Sequence, residues 1–180
     1  LYLLGTALSD KPERGILSAA ARASVPVYCP AIADSSLCIA LAANLAPRQR
    51  RFTFDLVTEL VELAQIAGKS PRTALVCVGG GTPKNYIQQL YVTAGFMERR
   101  RKLDGHHYAI QFSTDSPQWG GLSGCTFKES QSWGKIAGAA QAVNCFCDAT
   151  IALPIIVSGL ADRSDELRRK RVPRFELSSR

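Results

Sequence analysis

The sequence predicts an α/β fold, a parallel sheet flanked by helices with its ligand site at the C-terminal ends of the strands. Three observations carry this. Ala74-Leu-Val-Cys-Val78 reads as a continuous buried strand that runs into Gly79-Gly-Gly81 and a helix beginning at Pro83. Tyr108-Ala-Ile-Gln-Phe112 is a second apolar strand, and it opens into a long glycine-rich loop. Ala142-Val-Asn-Cys-Phe-Cys147 is a third, followed by Asp148 and an apolar helix running towards Leu160. Strands alternating with helices imply a parallel sheet covered on both faces. Such sheets bind ligands just past the carboxyl ends of their strands. Asp34, Gly80, Thr114 and Asp148 all fall just past a strand end or close to one.

Taken in order, Lys11-Pro12 followed by Ile16, Leu17, Ala20 and Ala21 reads as a helix with proline in its first turn. Val25 to Tyr28 is a short β-rich run ended by Pro30. Ala31 to Asn44 is apolar and rich in small residues, with Asp34 its only charge; Asp34-Ser35-Ser36 caps a helix to Ala43. Pro47 to Arg51 is an exposed connection. Phe54 to Ala67 is the clearest amphipathic helix, with Leu56, Leu60, Leu63 and Ala67 on one face and Gly68 after it. The helix from Pro83 runs through Leu90, and a further helix spans Lys128 to Ala140. The glycine loop after Val78 is not the dinucleotide fingerprint, because Lys84 stands where a third glycine belongs, so the fold is Rossmann-like only in outline. From Arg163 the chain is charged and ends in Pro and Ser. The reading is therefore one α/β domain over 1–162 and a frayed, charged tail over 163–180.

Composition narrows the function classes. The chain has 180 residues, of which 46% are hydrophobic, ample for a core. No run is long enough to span a membrane, and Leu1-Tyr-Leu-Leu4 is too short for a signal peptide. The start inside an apolar run, without Met, leads us to expect the C-terminal portion of a longer protein. The net charge is +7, with basic clusters at Arg48–Arg51, Arg99–Lys102 and Arg168–Arg171. These lack interleaved aromatics or an RNA-binding motif, which favours solvated faces or an acidic protein partner over nucleic acid. Six cysteines without a CxxC pair, and only two histidines, His106 and His107, argue against a zinc site. They read as free thiols of a cytoplasmic protein.

The most informative stretch runs from Thr114 to Lys135. It carries four glycines through the loop and ends on a lysine two residues after Trp133. Glycines let a backbone approach a ligand closely. A lysine shielded from water beside an indole loses its proton readily and becomes an amine nucleophile.

Glu129-Ser-Gln-Ser-Trp-Gly-Lys-Ile136 resembles the active-site segment of deoxyhypusine synthase and its relatives, homospermidine synthase among them. The resemblance extends to Val25-Pro-Val-Tyr-Cys-Pro-Ala-Ile-Ala-Asp-Ser-Ser36, Gly79-Gly-Gly-Thr-Pro-Lys-Asn85 and Asp148-Ala-Thr-Ile-Ala-Leu-Pro154, in the family's order and spacing. It implies an NAD-dependent aminobutyltransferase. A 4-aminobutyl group would pass from a polyamine such as spermidine, through an imine on Lys135, to an acceptor amine. It further implies Trp133 as a wall of the amine channel and Glu129, Ser132, Asn85, Gly120 and Gly121 as substrate contacts. Asp34, Gly80, Thr114, Asp115, Asp148 and Ala149 would line the NAD site. Family members are nearly twice this long and are cytoplasmic homotetramers. Asn85, Ile39 and Leu122 replace a histidine, an acidic residue and an aspartate of the eukaryotic spermidine pocket. We therefore expect a divergent, bacterial-type branch, with spermidine, putrescine and agmatine all open as donors. A lysine of translation initiation factor 5A and putrescine are both open as acceptors. A catalytically silent paralogue and a basic binding module are the competing classes; Lys135 and Trp133 weigh against the first, the missing nucleic-acid motif against the second.

Overall fold

The computed structural model describes residues 1–9, 15–97 and 104–168, gathered in two compact units where the sequence suggested one. The first, within Leu1–Glu59, is helical. Helices α1 (Tyr2–Ser9) and α2 (Ile16–Arg22) pack together, and α3 (Ser36–Leu45) follows. Lys11 and Pro12 lie outside the described residues. Val25 to Tyr28 forms no strand; Pro26 removes a ladder donor from the middle of that short run. The cap of α3 is Ser35, whose hydroxyl accepts from the Cys38 amide at 3.2 Å, while Asp34 closes the preceding 3₁₀ turn Ile32–Asp34.

The second unit starts inside α4 (Leu56–Lys69), which buries Leu63, Ala64 and Ala67 as the amphipathic pattern requires. Its sheet has three parallel strands in the order β1 (Ala74–Val78), β2 (His106–Phe112), β3 (Ile136–Cys145). The crossover from β1 holds α5 (Gly81–Gln88) and α6 (Leu90–Met97), broken at Gln89 where one helix had been expected. The crossover from β2 holds α7 (Gly121–Gly124) and α8 (Phe127–Ser132). After β3 come α9 (Ala149–Asp162) and α10 (Ser164–Arg168). The charged end is thus helical as far as Arg168; residues 169–180 and the Arg99–Lys102 cluster lie outside the described residues.

The predicted helix over Lys128–Ala140 is a short α8 followed by β3, because Gly134 takes a left-handed conformation (φ 73°) and ends the helix. The small residues Ala137 to Ala140 suit a helix, but pairing with β2 overrides that local preference. Both crossovers then pack on one face of the sheet. Leu75, Cys77, Ala109, Phe127 and Ile136 form the core there, with Ile87 and Ala140 against it. Successive parallel strands joined by crossovers of one hand place both connections on the same side. The opposite face carries Val76, Val78, Tyr108 and Val143, each more than 40% exposed, so among the described residues of this unit the second face is not covered as predicted.

Beneath the core, His106 is buried in a closed polar chain. Its Nε2–H donates to the Ile87 carbonyl at 3.3 Å, which leaves Nδ1 to accept from the Thr73 hydroxyl at 2.8 Å. The Tyr91 hydroxyl reaches the same Thr73 oxygen at 2.7 Å and its ring meets the imidazole edge-on. Burial pushes the imidazole pKa down, so the ring stays neutral.

Candidate active site

The register of the sheet aligns its C-terminal ends: Val78 lies opposite Phe112, and Phe112 opposite Cys145. Gly80 follows the first strand, Thr114 and Asp115 the second, and Asp148 and Ala149 the third. Thr114, Asp115 and Asp148 are exposed. Asp148 caps α9: its Oδ1 accepts from the Thr150 hydroxyl at 2.6 Å and the Thr150 amide at 2.8 Å. Those bonds hold its carboxyl below the usual range. Asp34 is exposed and belongs to the other unit.

The glycine loop is shaped for close approach. Gly79 and Gly81 take φ of 75° and 74°, and an added Cβ at either would meet nothing within 4 Å. Gly80 differs: a Cβ there would run into the backbone and side chain of Ser123, so the loop packs directly on α7. The N-terminus of α5 has no side-chain cap, leaving its first amides facing outward from the loop.

The lysine segment is a helix end of defined geometry. Thr126 and Glu129 form a capping box: Glu129 Oε2 accepts from the Thr126 amide at 2.8 Å and the Thr126 hydroxyl accepts from the Glu129 amide at 3.3 Å. The Thr126 amide, with smaller help from Cys125, lowers the Glu129 carboxyl. At the other end the Gly134 amide donates to the Gln131 carbonyl at 2.9 Å and the Lys135 amide to the Ser130 carbonyl at 3.1 Å. With Gly134 left-handed, this is the Schellman closure, which fixes Lys135 at the junction of α8 and β3. The Lys135 carbonyl accepts from the His106 amide at 3.0 Å, so its backbone is held from both sides.

The Lys135 side chain is half-buried, and its Nζ donates to Asn85 Oδ1 at 2.7 Å. Nζ lies 6.0 Å from the centre of the Trp133 ring, at the outer edge of cation–π range. Trp133 is 74% exposed. Among the described residues the lysine is therefore not buried against the indole: Lys135 is half-buried, whereas Trp133, on the other side of the left-handed Gly134, stays exposed. Ser132 is exposed and donates to the Glu129 carbonyl at 2.7 Å. Gly120 and Gly121 are exposed at φ of 72° and 78°.

The family profile of deoxyhypusine synthase matches residues 1–160. The chain belongs to the deoxyhypusine synthase family. A Methanosarcina acetivorans protein named probable deoxyhypusine synthase 2 is 46% identical over 94% of this chain, and an Archaeoglobus fulgidus protein of the same name is 47% identical over 93%. A deoxyhypusine synthase-like protein of Coxiella burnetii is 34% identical over 82% of the chain. Identity is thus higher to the two archaeal relatives than to the bacterial one. The chain spans about half the length of these archaeal deoxyhypusine synthase relatives, 49% and 53%.

Two residues of this deoxyhypusine synthase-family site were not anticipated. Gln111 is 3% exposed; its Nε2 donates to the carbonyls of Gly79 (2.9 Å) and Ser123 (2.8 Å), and its Oε1 accepts from Lys84 Nζ at 2.8 Å. Lys84 is 4% exposed and also donates to the Cys125 carbonyl. Burial lowers its pKa, offset in part by Cys125, Cys77 and Glu129, while Lys135 lowers it further. The signal was a lone glutamine inside an apolar strand, and a lysine at a glycine position.

Proposed function

We propose that this chain carries the lysine-bearing part of an NAD-dependent aminobutyltransferase of the deoxyhypusine synthase type. The observation that supports it is the amine of Lys135, held 2.7 Å from Asn85 in a family whose active-site segment this chain reproduces. In a neutral Lys135 one N–H donates to Asn85 and the lone pair remains for attack on an imine carbon of the donor amine. The nitrogen of the attacked imine takes up a proton and leaves, as diaminopropane when the donor is spermidine, and Lys135 keeps the 4-aminobutyl group as its own imine. An acceptor amine then displaces Lys135 by the same exchange. Glu129 lies in the turn before the lysine and offers negative charge to a cationic amine. Trp133 offers a face to the same cation.

NAD suits the strand-end site: the uncapped start of α5 behind open glycines can receive phosphate, and Asp148, Ala149, Thr114 and Asp115 lie at the adjoining strand ends. Bound there, it would accept a hydride from the donor and return it to the product. For Asp34 an NAD-binding role rests on the resemblance alone. We assign the whole enzyme to the cytoplasm as a homotetramer on the same ground.

Spermidine as donor and a lysine of translation initiation factor 5A as acceptor are the first choice. Asn85, Ile39 and Leu122 favour a second reading, a homospermidine synthase or a putrescine- or agmatine-using relative, because they stand where the family's eukaryotic pocket has a histidine, an acidic residue and an aspartate. Borohydride treatment of the full-length protein with NAD and each amine should leave a stable mass increase on the Lys135 peptide. Lys135→Arg should abolish it, since arginine keeps the charge and does not deprotonate. A label on another lysine, or transfer by the arginine variant, would refute the assignment.

A further inference from the structure

A buried lysine whose bonded partners are a side-chain amide oxygen and a backbone carbonyl is a costly arrangement. Methionine would fill much the same space without the desolvation. Lys84 nevertheless sits 4% exposed, bonded to Gln111 and to the Cys125 carbonyl, with the Phe127 ring 5.7 Å from its ammonium. Gln111 in turn carries the carbonyls of Gly79 and Ser123. These two side chains therefore tie the exit of β1, the first turn of α5 and the segment entering α8 to a single point on β2. The next residue after Lys84 is Asn85, the acceptor of the Lys135 amine. The first turn of α5 thus splits its roles: Lys84 points inward to the hub and Asn85 outward to the nucleophile.

We propose that Lys84 is a positioning residue that acts through Asn85 on Lys135, with Gln111 as its anchor. The proposal rests on the reading of Lys135 as the nucleophile. An anchored first turn presents Asn85 Oδ1 at one place, and so holds the Lys135 amine in one orientation. Without the anchor that turn must satisfy the Cys125 carbonyl and the Gln111 oxygen some other way, and Asn85 moves with it.

A double-mutant cycle on the full-length protein tests this, with Lys84→Met, Asn85→Ala and the pair, and the rate of borohydride-trapped label on Lys135 as the reading. We expect Lys84→Met to slow trapping about 10-fold or more at saturating amine, with the half-saturating amine concentration changed less than about 2-fold. In the Asn85→Ala background the same substitution should change trapping less than about 2-fold, because its route is already cut. Equal effects in both backgrounds would overturn the proposal and leave Lys84 a packing residue. If Lys84→Met does not fold, Lys84→Gln, which keeps a polar donor without a charge, takes its place in the cycle. If the wild-type protein forms no label at all, the proposed function fails, and the anchoring of Asn85 by Lys84 is read from amide hydrogen exchange in Lys84→Met. Faster exchange over 85–88 and 123–126 with β3 unchanged supports it, and unchanged exchange at Asn85 overturns it.

Discussion

Gly105 lies where the start of β2 passes the backbone of Lys135. A Cβ at Gly105 would stand 2.5 Å from the Ile136 nitrogen and closer still to the Lys135 carbonyl carbon and oxygen. Ordinary contacts between such atoms lie near ~3.5 Å, so Gly105→Ala must push the two segments apart by about 1 Å. The obstacle is backbone on both sides and cannot be relieved by a side-chain rotation. The bond from the His106 amide to the Lys135 carbonyl, 3.0 Å in the native arrangement, is the first to be lost. Overpacking of this kind costs about 1–3 kcal/mol, which for a chain of this size lowers Tm by roughly 2–12 °C. A displacement of about 1 Å at a reacting group costs on the order of 100-fold in rate, so label on Lys135 should fall by about that factor. Amide hydrogen exchange at His106 gives a reading independent of activity and should accelerate. Gly138→Ala is the control: a Cβ there meets nothing within 4 Å, and its melting should stay within about 1 °C of wild type. Native protection at His106 together with wild-type melting in Gly105→Ala would refute the argument.

Gly134→Ala should cost about 1–2 kcal/mol for a left-handed residue with a side chain. It should also loosen the Schellman closure, seen as faster exchange at the Lys135 amide; an unchanged denaturation midpoint would count against it. For His106, burial lowers the folded-state pKa below the ordinary 6.5, so the unfolded chain binds more protons as pH falls past that value. Stability is therefore complete above pH ~6.5 and declines below it. His106→Gln, which keeps hydrogen-bonding capacity and cannot titrate, should flatten the loss between pH ~7.5 and ~5.5; identical slopes would show another group responsible. Leu122 is 45% exposed, so Leu122→Asp should change stability by less than about 0.5 kcal/mol while shifting donor preference towards spermidine, read as the ratio of kcat/KM for spermidine and putrescine.

The strands and helix starts that were legible in the sequence are those where local signals agree. Ala74–Val78 is five apolar residues bounded by Gly79, and it appears with those bounds. Asp148 announces α9 because its side chain caps the helix, a purely local interaction. The failure at Lys128–Ala140 is also physical. Ile136-Ala-Gly-Ala-Ala has a composition that a helix accepts, and only the backbone turn at Gly134 and the ladder to β2 decide for a strand. The bare sheet face was illegible for a similar reason. Val76 and Val78 read as buried because their run is wholly apolar, whereas which face is covered depends on where the crossovers pass.

The site shows the same division. Lys135, Trp133 and the glycines stand out as residue types, and the resemblance named their roles, but their relations come from the backbone. Trp133 and Lys135 are two apart in sequence, yet the left-handed Gly134 between them sends one to the rim and the other towards Asn85, a residue 50 positions earlier. Asn85 reads in the sequence as a polar loss, the absence of a histidine. In the fold it is the acceptor of the Lys135 amine. A neutral amide at that position can take an N–H from either the charged or the neutral amine, whereas a carboxylate there would favour the ammonium. On the proposed reading of Lys135 as the nucleophile, that choice makes Asn85→Asp a sharper probe than Asn85→Ala. The carboxylate should move the pH profile of imine formation on Lys135 to higher pH with the fold intact. An unmoved profile would mean that the 2.7 Å contact plays no part in holding the reactive amine.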